Sequence, residues 1–348
     1  MNRKLLWILL AALLLAGCGG GSDQNSGAEQ ADSGEAKSAS RDFFAMDTYM
    51  SVLAYGENAE NAVDDAVKEV NRLDQLLSAA DPDSEVGQLN ENGSATLSED
   101  GQALMEASLA LFRETGGRFD ITVYPLVELW GFTGGNYRKP SEEEIRSTLP
   151  YVGAESIRYE EADGAVSFAR DGMKIDFGGI AKGYTSAKIV DIFQSAGIRS
   201  GLVSLGGNIQ ALGTKPDGTP WKIGIQDPED SAALIGVLAV ADEAVITSGG
   251  YERYFEEDGT RYHHILDPET GYPAGSGLLS VTIVSRDGTM ADGLSTSLFI
   301  MGKEKALAFW RERREQFDVI LVTDSREILV TAGLKDRFSS DLPFTIEE

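Results

Sequence analysis

Asp176-Phe177-Gly178-Gly179-Ile180-Ala181-Lys182-Gly183-Tyr184 places an acid, a glycine pair and a lysine where a strand predicted over 174–177 runs into a helix predicted over 180–196. A helix start offers free N–H groups and the positive end of its dipole, and glycines admit a ligand to the backbone. With the point charge of Lys182, this set suits a phosphate or pyrophosphate; taken alone, the segment equally fits a plain strand-to-helix turn. Asp292 and Thr296 stand four apart on a helix predicted over 289–301, so their oxygens leave one face, with Ser295 beside them. Such a set suits Mg2+, which takes oxygen ligands and leaves positions to water and phosphate; a solvated helix face is the plain alternative. His263-His264 occupy an extended segment, which points their rings to opposite sides. One can face a site and take a proton from an attacking hydroxyl, in the near-neutral range of an ordinary imidazole. Composition does not choose between that role and a structural one.

Weaker signals accompany these. Gly206-Gly207-Asn208 is a second glycine pair after a strand, readable as a turn or bulge, or as a place where Asn reads an amide or hydroxyl. Residues 119–132 crowd aromatic side chains around Asp120, for stacking a planar ring or for a core. Met46-Asp47-Thr48 reads as packing.

The elements that must hold these residues follow both periodicities. Alternation predicts a strand over 42–55, and helical spacing predicts helices over 61–77, 101–115, 289–301 and 303–313. Short strands are expected at 201–205, 222–225, 236–240, 245–247, 279–284, 319–322 and 328–331. Helices and strands do not alternate strictly, which predicts an α+β fold rather than a doubly wound one. No G-x-G-x-x-G stands between a strand and a helix, so a Rossmann reading fails. Neither a repeat nor a linker interrupts the chain after Arg41, so one domain is expected over 41–348.

The chain is ordinary in bulk: 348 residues, 42% hydrophobic, 25% charged. Its formal charge of −26 excludes a nucleic-acid backbone as partner, which needs a basic footprint. One Cys makes no internal disulfide, and two His leave little for a His-rich metal centre. Arg3 and Lys4 precede an apolar run over 5–15, about half a bilayer core in length at roughly 1.5 Å per residue. That is a secretory signal rather than a span. It ends in Leu15-Ala16-Gly17-Cys18, which resembles the bacterial lipobox, so residues 1–17 are expected to be removed and Cys18 acylated. Two lipid attachments would make the anchor stable. Residues 19–40 contain no Val, Ile, Leu, Met or aromatic residue, and 18–40 are expected to be a flexible tether. The domain would then sit beside a membrane on its extracytoplasmic side.

Taken together, the motifs resemble the ApbE family, the FAD:protein FMN transferases. The resemblance rests on Met46-Asp47-Thr48, Ser78 with Asp83-Ser84-Glu85 and Asn90, Phe119-Asp120 through Trp130-Gly131-Phe132, Asp176 through Tyr184, and Gly206-Gly207-Asn208. Thr247-Ser248-Gly249, His264-Ile265-Leu266-Asp267-Pro268 with Thr270-Gly271, and Ala291-Asp292 with Ser295-Thr296 complete it, in family order across 43–302. The resemblance implies that FAD is the substrate, split at its pyrophosphate. FMN passes to a Thr or Ser hydroxyl of a flavoprotein subunit of a membrane redox complex, and AMP leaves. By position it makes Asp292, Ser295, Thr296 and the carbonyl of Gly179 ligands of Mg2+, and His264 the base. Met46, Arg118, Phe119, Asp120, Asp176, Lys182 and Ile265 would line the FAD site. Ala80 stands where many members carry Tyr, and Ala187 where Asp is frequent. Hydrolysis of FAD to FMN and AMP, and flavin carriage without catalysis, are the competing functions.

Overall fold

The computed structural model describes residues 37–348; the signal segment, Cys18 and most of the tether lie outside the described residues. A nine-stranded sheet forms the frame, in the order Ser38–Ala45, Thr48–Tyr55, Ser200–Leu205, Asn208–Leu212, Ala244–Gly249, Leu278–Ser285, Asp318–Thr323, Ile328–Thr331 and Thr345–Glu347. Only the last pair is parallel. Alternation divides the strands between two cores. Ile246, Ile283, Val319 and Leu321 join the core under the helices. Val245, Val284, Ile320 and Val322 join one shared with a three-stranded sheet of Trp221–Gln226, Leu234–Val240 and Phe338–Ser339. The helices Ala59–Leu77, Ala181–Ser195, Gly288–Met301 and Lys303–Arg311 cover the first face. The architecture is α+β, as the irregular order of elements predicts.

Three local expectations change. The single strand expected over 42–55 is a hairpin, turned at Met46 (φ 47°) and Asp47 (φ 58°). Neither residue is glycine, so the usual Asn-Gly turn signal is absent. The first strand opens at Ser38, inside the stretch assigned to the tether, because Ser38, Ala39 and Ser40 pair by backbone with Tyr55, Ala54 and Leu53. Residues 174–177 are extended but join no sheet. The Asn90 side chain stands in for a neighbouring strand there, accepting from Ile175 N (2.7 Å) and donating to Ile175 O (2.9 Å).

Asn90 is therefore a structural member of its motif, and its neighbours are too. Ser84 caps Glu85–Asn92 by accepting from Gly87 N at 2.8 Å, and Glu85 accepts from Ser98 N at 2.7 Å. Tyr184 donates to Asp100 at 2.7 Å, which also receives Arg72 (2.6 Å) and Lys188 (3.2 Å), tying three helices together.

The contact that matters for chemistry is the crossing of Ala181–Ser195 over Gly288–Met301. A Cβ on Gly183 would lie 2.2 Å from Gly288 O and 2.7 Å from Asp292 Cβ, so only glycine lets the helices meet this closely. Gly183→Ala is expected to cost about 3 kcal/mol, at the upper end of ordinary overpacking, because the obstruction is backbone. Chemical denaturation checks this; an unchanged midpoint would mean that the crossing is looser than described.

Candidate active site

The close crossing puts Asp292, buried on the second helix, at the N-terminus of the first. Its Oδ2 accepts from Gly183 N at 2.8 Å. Ile180, the residue before that helix, provides no side-chain cap, so Asp292 supplies one from outside. Burial pushes the Asp292 carboxyl up, against Lys182, the Gly183 and Lys182 amides and the Asn208 side chain, all of which favour its ionised form. Asn208, following the Gly206-Gly207 turn, is buried and its Nδ2 makes no hydrogen bond. Ser295 donates to Asp292 O (2.7 Å) and sits 2.7 Å from Ser248 Oγ, which is 3.3 Å from Thr296 Oγ1. Ser248 thus joins the two hydroxyls, a contact the sequence signals only by its place in a motif.

His264 faces the same region. Its Nδ1 and its backbone N both lie 3.1 Å from Arg253 O. A carbonyl only accepts, so Nδ1 carries the proton and Nε2 keeps its lone pair for a base. Desolvation first, then the charge of Arg253, push the imidazole down to about 3. The mild-acid loss of rate expected from an ordinary imidazole moves accordingly to lower pH. His263 points the other way, edge-on to Phe299 at 5.5 Å and against Gly250, as the alternation predicts. Burial lowers its pKa as well. Between about pH 3 and 6.5 the unfolded chain protonates at His264 while the native one does not, so this group destabilises the fold as pH falls through that window. With only two histidines, the test is direct: neither imidazole should titrate by NMR between pH 7 and 8, and His264 should stay neutral at pH 5. A His264 midpoint near 6.5 would refute the environment described.

Lys182, Arg253, Glu252 and Asp176 complete one electrostatic cluster with Asp292 and His264. Lys182 and Arg253 pull on Asp176, Glu252 and His264 alike. Glu252 reaches solvent at the mouth, yet the surrounding protein desolvates it. That desolvation, with the like charge of Asp292 and against Lys182 and Arg253, pushes its carboxyl up to about 7. Half-buried Asp176 accepts from Gly178 N at 2.9 Å, and desolvation raises it too. Glu252 and Arg253 were missed by the sequence reading; a charged pair straight after Gly249-Gly250-Tyr251 was the available signal.

Other expected site residues are engaged differently. Asp120 accepts from Thr122 N (2.8 Å) and Ala154 N (3.2 Å), so its carboxylate holds backbone. Arg118 pairs with Asp267 (3.2 Å) and Glu269 (2.7 Å), fixing the loop after His264. Trp130 is fully buried and donates to Gly271 O at 2.9 Å on that loop, and Phe132 meets the His264 ring at 6.4 Å. Phe119 is wedged beneath Gly179 and Gly293, Ile265 is core, and Met46 is half-buried at its turn. Ala80 is exposed, and Ala187 half-buried on the Ala181–Ser195 helix.

The ApbE family profile matches residues 46–321. The chain belongs to the ApbE family. It is 35% identical over 274 residues to a FAD:protein FMN transferase of Klebsiella pneumoniae, covering 78% of this chain and 84% of that protein. A FAD:protein FMN transferase of Treponema pallidum is 34% identical over 319 residues, 86% and 88% of the two chains. The ApbE crystal structure from Thermotoga maritima superposes with a TM-score of 0.81 at 35% identity, covering 86% of this chain and 99% of that one. The Vibrio cholerae flavin transferase ApbE gives 0.77 at 28%, covering 87% and 100%. The segments that carry ApbE membership thus divide between residues gathered around the helix crossing and its cations (Lys182, His264, Asp292) and residues that tie elements together (Ser84, Asn90, Asp120, Tyr184).

Proposed function

We propose that this chain is a FAD:protein FMN transferase. The carrying observation is His264, its tautomer set by the Arg253 carbonyl and its imidazole within the field of Lys182, while Lys182 also acts on Asp292 at a helix N-terminus. The acceptor Thr or Ser hydroxyl gives its proton to His264 Nε2 and its oxygen attacks the FMN phosphorus. The pyrophosphate P–O bond breaks, its electron pair leaves on AMP, and a phosphoester joins FMN to the target. Lys182 and Arg253 face the phosphate charge in a chain that is otherwise strongly acidic.

The donors also fit Mg2+. Asp292 has one oxygen beyond its cap bond, Ser295 and Thr296 lie one turn on in the same helix, the Gly179 carbonyl just precedes the helix that Asp292 caps, and all are oxygen donors. No group of three or more His, Cys, Asp or Glu that could hold a metal occurs among the described residues, so water and phosphate would have to complete the shell. The ion would neutralise pyrophosphate charge and support the leaving group.

Beyond the described residues, the reading places an acylated Cys18 in the membrane, the domain outside the cytoplasm, and flavoprotein subunits of membrane redox complexes as acceptors. The lipobox and the tether composition support this. One experiment tests the activity: FAD, Mg2+ and an acceptor protein are incubated with the chain and resolved by gel. A fluorescent adduct with released AMP is the expected result. Free FMN alone would make the chain a pyrophosphatase, and intact FAD would make it a carrier. Fractionation of cells expressing Cys18→Ser tests the anchor, which fails if wild type is itself soluble.

A further inference from the structure

Asn208 carries a buried donor that the mechanism leaves unused. The residue is 3% exposed, and among the described residues Nδ2 has no hydrogen-bond partner of normal distance and angle. An unsatisfied buried amide costs about 1–3 kcal/mol, so its retention calls for a partner in some working state.

Geometry says what that partner is. Asn208 and Gln210 are two apart on Asn208–Leu212 and therefore leave the same face of the strand. Gln210 meets the helix Gly288–Met301 at its first residue: Oε1 would lie 2.5 Å from a Cβ on Gly288. One step of two along a strand is about 6.6 Å, and one step of four along a helix is about 6 Å. The residue four beyond Gly288 is Asp292, so the pairing of Gln210 with Gly288 carries Asn208 to Asp292. The Asn208 side chain accordingly favours the charged form of Asp292. Asp292 is held on Oδ2 by Gly183 N at 2.8 Å, its one well-formed side-chain hydrogen bond among the described residues.

We propose that Asn208 is a positioning residue for Asp292, its amide closing on the carboxylate when Asp292 turns its free oxygen to a divalent cation. This rests on the metal reading above and assigns Asn208 a task within it. Supporting groups of this kind change metal affinity by about 10–100-fold.

The test uses the full chain, without FAD, and Mn2+ as the probe, read by loss of the free-ion EPR signal. Asn208→Ala is expected to weaken Mn2+ binding about 10–100-fold, leave the metal-free melting temperature near wild type, and recover transfer at excess Mg2+. A residue that merely packs the strand would not be rescued by metal. Equal Mn2+ binding by wild type and variant overturns the inference and leaves the metal reading standing. Absence of a saturable Mn2+ site in wild type overturns both. Weaker FAD binding in EDTA with intact Mn2+ binding would assign Asn208 to the substrate instead, and also overturns it. Asn208→Leu, closer in size, repeats the measurement if the alanine variant loosens the strand.

Discussion

Replacing His264 by alanine is expected to lower FMN transfer about 10²–10⁴-fold, the usual contribution of a positioned base. FAD affinity should change little, because the proposed mechanism gives Nε2 to the acceptor hydroxyl and leaves the phosphate charge to Lys182 and Arg253, which remain. His263→Ala should leave transfer nearly unchanged, since that ring packs on Phe299. Single-turnover transfer beside FAD titration by flavin fluorescence separates the two effects. The assignment collapses if His264→Ala transfers at the wild-type rate, or if His263 proves the sensitive position.

Asp292 should show a different pattern, because its observed cap on Gly183 N and its proposed metal role make separate demands. Asp292→Ala and Asp292→Asn are both expected to abolish turnover, since each removes the one carboxylate the cation reading depends on. Their stabilities should diverge. Asparagine keeps an oxygen for the Gly183 N–H, whereas alanine leaves that buried donor unpaired at a cost of about 1–3 kcal/mol. A buried carboxyl whose pKa is raised opposes folding once ionised, so in EDTA at neutral pH the asparagine variant should melt no lower than wild type. Melting curves of both variants decide it. Equal midpoints for the two would remove the capping role, and turnover by Asp292→Asn would remove the metal role.

The α+β class, the main helices and most strands of the central sheet were legible because their periodicities span many residues. Lys182, His264 and Asp292, on which the proposed chemistry rests, are singled out by motif spacing. What escaped depends on partners distant in sequence. Asn90 mimicking a strand against Ile175, or Glu252 raised by surrounding protein, has no local pattern. Met46 and Asp47 turn a hairpin without glycine, so alternation ran on through the turn as if nothing happened. Asp120 shows another gap: that its carboxylate holds the backbone of Thr122 and Ala154 depends on a partner 34 residues on, which its motif does not announce.

The two side chains at the centre of the proposed site are steadied by main-chain atoms: His264 by the carbonyl of Arg253 and Asp292 by the amide of Gly183. Every residue type carries a carbonyl, and every type but proline an amide, so neither bond depends on the side chain of the residue that makes it. At position 253 the supporting bond survives any exchange that keeps the backbone path, and only the guanidinium charge is at stake. At position 183 the bond would survive too, but space permits glycine alone. The imidazole can therefore tolerate drift in its support, while the carboxylate's support is locked by volume. Among relatives about one-third identical, position 253 is where variation would leave the tautomer of the base intact, and position 183 is where it would not be found.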